Sequence, residues 1–281
     1  MSGRLEGRVV LITGSGGDIA RATALRLAAE GALIVGTDID AELAERTARE
    51  VRDAGGTAAS ISLDLSVEAG AQRFTDFAID RFGRIDAVVN NAKAARGGSG
   101  ESTSAEDWRF TIDRNLTMPW LVTRSAIPAL RETRGSIVFI ASVSGAAFGT
   151  GYPGNTANLV AYSTAKAGVL RLSVALANEL GPDGIRVNTI SPGVVETAAT
   201  RGTYGEPRSA RRELATRPSL LPQRIGNPRD IANGVLFLVS DDASWITGSD
   251  LRIDGGWFAS GGAGPATPAD IATLQVQVLE R

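Results

Sequence analysis

Short apolar runs rich in β-branched residues recur along the chain, each separated from the next by a stretch long enough for a helix. The runs are VVLIT at 9–13, LIVGT at 33–37, AASISL at 58–63, IDAVVN at 85–90, SIVFIA at 136–141, IRVNTI at 185–190 and DLRID at 250–254. Continuous apolar runs of this length read as strands buried on both faces. The segments between them carry apolar residues at helical spacing, such as Ile19, Ala22, Leu25 and Leu27 in the first and Phe74, Phe77, Ile79 and Phe82 in the third. Strand, helix, strand in repetition predicts a doubly wound α/β fold: a seven-stranded, mostly parallel sheet with right-handed crossovers and helices on both faces. No change of composition divides the chain before the Gly-rich stretch Ser260–Gly264, which predicts one domain over 1–260 and a tail over 261–281 ending in a candidate docking helix, ADIATLQVQVLER.

Composition then removes whole classes of chemistry. Of 281 residues none is His and none is Cys, so a Ser-His-Asp triad, a thiolate nucleophile and an ordinary zinc site are all excluded, and no metal is expected. The formal charge of −2 offers no general attraction for nucleic acid or an anionic membrane. With no apolar leader in MSGRLEGRVVLITG, no possible disulfide and no apolar run near the ~20 residues of a membrane span, the sequence points to a soluble cytoplasmic protein.

Two features of the first half point to a dinucleotide. Thr13-Gly14-Ser15-Gly16-Gly17-Asp18-Ile19-Ala20 follows the first strand and opens a helical pattern, the setting in which a Gly-rich turn and a helix N-terminus hold pyrophosphate. The second strand ends in Gly36-Thr37-Asp38, about 20 residues on, where a carboxylate accepts the ribose hydroxyls of NAD. Asp40 is the better placed residue to cap the helix that follows. The second half carries Tyr162-Ser163-Thr164-Ala165-Lys166 within a helical segment, which puts Tyr162 and Lys166 on one face at i,i+4. A nearby ammonium favours the phenolate, so the pairing predicts a Tyr with a lowered pKa, fit for acid–base work near neutrality.

With these motifs the sequence resembles the short-chain dehydrogenase/reductase family, from about Leu5 to Trp257. The resemblance also rests on LDLS, with Asp64 at the adenine contact, Asn90-Asn91-Ala92 after the fourth strand, Asn115 in RNL, Ser142 in IASVSG, Ser191-Pro192-Gly193-Val194-Val195-Glu196-Thr197, and Asp254-Gly255-Gly256. It implies a Rossmann-type fold and an NAD-dependent oxidoreductase that moves a hydride between nicotinamide and a secondary alcohol or ketone. Tyr162 would be the acid/base, Lys166 its helper, Ser142 a donor to the substrate oxygen and Asn115 the holder of a relay water. The cofactor set would be Gly14, Gly17, Asp18, Ile19, Asp38, Ile39, Asp64, Leu65, Asn91, Ala92, Tyr162, Lys166, Pro192, Gly193, Val195 and Thr197. A homotetramer or dimer is the implied assembly. A 3-oxoacyl-carrier reductase and a non-catalytic NAD-binding protein on the same fold are the rival readings.

Three departures from the family pattern stand out. Asp18 and Ala20 replace glycines of the turn, and Asp18 is expected to turn away and cap its helix. Lys93 replaces the Gly after Asn-Asn-Ala, either as a solvated loop residue or as a charge at the rim of the substrate pocket. Ser142 and Tyr162 lie 20 positions apart, so several residues between Ala146 and Val160 are extra and read as a loop beside the site. The expected substrate pocket takes Lys93, Ser144, Phe148 and Tyr152 together with Val194, in a substrate segment over about 194–222 that also holds Tyr204, Leu220, Leu221 and the arginines 201, 208, 211, 212 and 217. Those arginines would either solvate a mobile helix or clamp an acidic substrate.

Overall fold

A computed structural model describes residues 3–146, 159–204, 221 and 224–260 of the chain. Seven parallel strands form one sheet in the order β3-β2-β1-β4-β5-β6-β7. They are β1 (Val9–Thr13), β2 (Leu33–Asp38), β3 (Thr57–Ser62), β4 (Ala87–Asn90), β5 (Ser136–Ile140), β6 (Arg186–Pro192) and β7 (Asp250–Ile253). The helices are α1 (Asp18–Ala28), α2 (Ala41–Asp53), α3 (Glu68–Phe82), α4 (Ala105–Ile112), α5 (Met118–Thr133), α6 (Val160–Leu180), α7 (Ala198–Tyr204) and α8 (Pro228–Val239). The strand order reverses between β1 and β4, where sheets of this kind open a crevice at the carboxyl ends of their strands.

Alternate residues of each central strand feed opposite faces. Val10, Ile12, Ile34, Val89, Val138 and Ile190 join one apolar cluster with Leu27 of α1 and Ile231, Val235 and Leu238 of α8. Val9, Leu11, Val35, Val88, Ile137, Phe139 and Val187 join a second, with Phe74 of α3, Val122 and Leu130 of α5, and Val169 and Leu176 of α6. The central strands β1, β4 and β5 are apolar almost throughout because both of their faces are covered.

Observed strand limits match the expected ones at β1 and differ by one or two residues elsewhere, and β4 shows why. Ile85 and Asp86 lie before it because the Asp86 carboxylate itself accepts from the backbone N–H of Val9 at 2.9 Å, so a side chain takes a place a carbonyl would fill in the ladder. Among the described residues no helix is long and apolar enough to cross a membrane. The tail 261–281 and the loop carrying Phe148 and Tyr152 lie outside the described residues. So do Leu220 and the arginines 208, 211, 212 and 217.

Candidate active site

The N-terminal side of the site is built from the end of β1. Gly14 has φ +64, and a Cβ placed there would sit 2.7 Å from the Cα of Ala92, so only glycine lets the turn and the end of β4 meet. Asn91 fastens that contact, its Nδ2 donating to the carbonyls of Thr13 at 3.2 Å and Gly14 at 3.3 Å, while its N–H and that of Ala92 both donate to Thr13 Oγ1 at 3.0 Å. Gly17 ends the turn as the N-cap of α1, with no side chain over the first free N–H groups. Asp38 Oδ2 accepts from Gly16 N–H at 3.0 Å and its Oδ1 from Asp40 N–H at 3.2 Å, which fixes the carboxylate beside the turn. Asp40 caps α2 as expected, accepting from Glu42 and Leu43.

This arrangement fits a nicotinamide dinucleotide. A bare backbone turn leads into an open helix N-terminus, and a fixed carboxylate stands one strand away. Ile39, next to Asp38, is 69% exposed although large and apolar, as a surface awaiting an adenine would be. Asp64 accepts from Ser66 N–H and Oγ and from Arg114, which hold its carboxyl below the usual range. Leu65 and Val195 are buried with their side chains in the core, so only their backbones are free to serve a ligand. Gly193 donates to Ile253 O at 3.0 Å and lies against Asp254, which seats the bend after Pro192. Thr197 and Thr200 close the turn that follows, with Thr197 N–H donating to Thr200 Oγ1 at 2.7 Å.

The C-terminal side brings β5 against α6. A Cβ on Gly145 would lie 2.7 Å from the carbonyl carbon of Lys166, so the loop after β5 is pressed onto the backbone of α6 at the lysine itself. This contact carries Ser142 to Tyr162, whose hydroxyl hydrogen-bonds the Ser142 side chain. Ser142 Oγ also accepts from Ser144 N–H at 3.2 Å and Ser144 Oγ at 2.9 Å, so Ser144 orients it. Lys166 is buried, donates from Nζ to the Ile140 carbonyl at 2.7 Å, and its Nζ lies 5.6 Å from the centre of the Tyr162 ring.

Asn115 sits in a π-helical turn, Asp113–Thr117, between α4 and α5. Its Nδ2 donates to Thr111 O at 2.9 Å and to Ala94 O at 2.5 Å, while its buried Oδ1 has no partner among the described residues. Leu116 of the same turn lies against Gly168 of α6, which registers the turn on the helix bearing Tyr162 and Lys166.

Two expectations are corrected. Asp18 does not cap α1; its Oδ2 accepts from the backbone N–H of Ala198 at 2.7 Å, a donor 180 positions away that no local pattern reveals. Nor does the Lys166 ammonium lower the Tyr162 phenol: burial pushes the phenol up to about 12, against the pull of the Ser142 hydrogen bond. Lys166 is a weakened cation, brought down to about 7 by burial and then by the charge of Lys93. Lys93 is exposed as a residue, yet enough protein surrounds its side chain to lower its own ammonium pKa. Sequence reasoning passed over Arg114, the partner of Asp64, and Arg46, whose guanidinium donates to Gly16 O at 3.2 Å. Arg114 adjoins Asn115 in RNL and Arg46 lies eight positions past Asp38, and no spacing in the sequence ties either to its partner.

The comparisons with known proteins agree with this geometry. A family model described as enoyl-(acyl carrier protein) reductase matches residues 14–258. A 2,5-dichloro-2,5-cyclohexadiene-1,4-diol dehydrogenase from Sphingobium indicum is 39% identical over 259 residues, covering 92% of this chain and 98% of the relative. The chain is a short-chain dehydrogenase/reductase. Another relative, a 3-oxoacyl-[acyl-carrier-protein] reductase from Thermotoga maritima, is 35% identical and covers 90% of this chain and 98% of its own. Among solved structures, a 7α-hydroxysteroid dehydrogenase in complex with NADH and 7-oxo glycochenodeoxycholic acid superposes with TM-score 0.82 at 30% identity, covering 90% of this chain and 95% of the other. This short-chain dehydrogenase/reductase is accordingly an oxidoreductase of the alcohol dehydrogenase and ketone reductase type, with the Rossmann-type sheet expected from its sequence.

Proposed function

We propose that the enzyme interconverts a secondary alcohol and its ketone with NAD, using Tyr162 as acid/base. The observation that carries this reading is the convergence of Tyr162 and Ser142 in one hydrogen bond, over a buried lysine on the same helix face. Bound NAD would supply the hydride chemistry, held by the Gly14–Asp18 turn, Asp38, Asn91, Ala92, Lys166 and the bend at Pro192–Thr197. Tyr162 passes the proton to or from the substrate oxygen. Ser142, oriented by Ser144, donates to that oxygen as negative charge grows on it. Lys166 places positive charge under the phenol when protonated, and Asn115 offers its free Oδ1 to a proton-carrying water. The substrate is a neutral, moderately apolar cyclic or aliphatic alcohol, in keeping with Val194 beside the site and with the cyclic diol of the Sphingobium relative's name. Two-fold pairing of the long helices would give a homotetramer or dimer.

A panel of cyclic and acyclic secondary alcohols, ketones and a 3-oxoacyl thioester, followed at the NADH absorbance band, tests the reading. Turnover of alcohols or ketones is expected with NAD. Tyr162→Phe should lower kcat by about 10²–10⁴-fold, the usual worth of a general acid–base group, while NADH still binds. Substantial turnover in Tyr162→Phe would remove Tyr162 from the role, and exclusive use of the thioester would favour the carrier-type reductase.

A further inference from the structure

Asp18 stands at the first position of α1, where the family pattern has glycine, and the one hydrogen bond its carboxylate makes among the described residues leads out of the cofactor half altogether. The acceptor Oδ2 holds the N–H of Ala198 at 2.7 Å. Ala198 is the first residue of α7 and the entry to the segment expected to cover the substrate. On its other side the start of α7 is held by the Thr197–Thr200 turn, in which Thr200 Oγ1 also donates to Val195 O at 2.7 Å. The chain thus reaches α7 from the core residue Val195 on one side and is tied on the other to the phosphate turn. A glycine at position 18 would leave that second tie unmade.

We infer that Asp18 is a positioning residue that anchors α7, and with it the start of the substrate segment, to the cofactor turn. The inference rests on the reading of the Gly14–Asp18 turn as the pyrophosphate seat. The same carboxylate puts negative charge next to the phosphates, so anchoring the substrate segment and holding the cofactor are set against each other at one side chain. The hydrogen bond needs only an acceptor oxygen, whereas the repulsion needs the charge, and the two effects separate by substitution.

Asp18→Asn keeps an acceptor and removes the charge; Asp18→Gly removes both. Ala198→Pro removes the donor from the other side and leaves Asp18 charged, at a first helical position where proline is well accommodated. The expected results are tighter NADH binding, by about 3- to 10-fold, in Asp18→Asn and Asp18→Gly but not in Ala198→Pro. Substrate KM should rise about tenfold in Asp18→Gly and in Ala198→Pro, stay within about twofold of wild type in Asp18→Asn, and rise no further in the double variant Asp18→Gly/Ala198→Pro. In the ligand-free protein, hydrogen exchange over residues 198–204 should quicken in Asp18→Gly and Ala198→Pro and be unchanged in Asp18→Asn, a readout that needs no turnover. The inference is overturned if exchange and substrate KM in Asp18→Gly match wild type, or if Asp18→Asn shifts both as far as Asp18→Gly does. Failure of the wild-type enzyme to bind NADH would strike the functional reading instead, leaving the exchange experiment to judge the anchor by itself.

Discussion

The two groups at the centre of the site have pKa values displaced in opposite directions, both by burial. Tyr162 is pushed up to about 12 and Lys166 down to about 7. At pH 8 the ligand-free enzyme therefore holds a neutral phenol over a mostly neutral amine, and the cation that favours phenolate exists only toward lower pH. The linkage has a definite sign. Between about 7 and the unfolded value of 10.5 the unfolded chain binds a proton at Lys166 that the native state does not, so this group's contribution to stability rises with pH across that window and is least below pH 7. Lys93 contributes to the depression, and Lys93→Gln should move the Lys166 midpoint upward, read from the Cε chemical shift of labelled lysine in the ligand-free protein. A midpoint unmoved by the substitution would show that the two ammonium groups do not interact. The i,i+4 spacing made the Tyr162–Lys166 pairing legible in the sequence, since helix geometry alone puts both on one face. The sign of the phenol's shift was not legible, because it depends on how much protein closes over the ring, and the depression of Lys166 was not, because part of it comes from Lys93, 73 positions away in sequence.

Elements in this molecule are held to one another at their ends, and those ends carry the chemistry. Asp38 at the end of β2 is pinned by Gly16, and the expected consequence is discrimination between cofactors. A 2′-phosphate about 4 Å from this carboxylate meets a repulsion of about 4 kcal/mol at an effective dielectric near 20, so NAD should be preferred over NADP by a large factor. Asp38→Ala should erode that preference, the more so because the Arg46 guanidinium already lies on the same turn; the ratio of kcat/KM for the two cofactors is the measure, and an unchanged ratio would place the discrimination elsewhere. The π-helical turn is a second such junction. Asn115→Ala takes away the donor to Thr111 and Ala94 and should cost about 1–3 kcal/mol in a denaturant melt, together with most of the turnover. A melt and a kcat both equal to wild type would contradict its part in the site. The central strands β1, β4 and β5 were legible because both faces of each are buried and their runs are almost wholly apolar. The turn at Asp113–Thr117 was not, since DRNLT contains neither Gly nor Pro and the register shift is made by tertiary contacts, Asn115 to Ala94 and Leu116 to Gly168.

For the molecule as a whole, the α4–α5 region carries two of the large apolar side chains left partly open to solvent. Trp108 and Trp120 are each 39% exposed there, and the Arg124 guanidinium sits 5.6 Å from the Trp120 ring. If the long helices of the Asn115 and Tyr162 regions pair across two-fold axes, light scattering at working concentration should report a tetramer or dimer. A monomer at every concentration tested would contradict the assembly. The sheet also divides the interior into two apolar compartments that neighbouring residues of one strand serve alternately, Val10 with one and Leu11 with the other. The helix that bears Tyr162 and Lys166 belongs to the second compartment through Val169 and Leu176, whereas α1 and α8 meet in the first. An engineer seeking a hardier catalyst thus has a second workshop: substitutions at Leu27 or Val235, buried deep in the α1–α8 seam, and changes that retune the helix bearing Tyr162 act on opposite sides of a backbone partition, and their free energies should add.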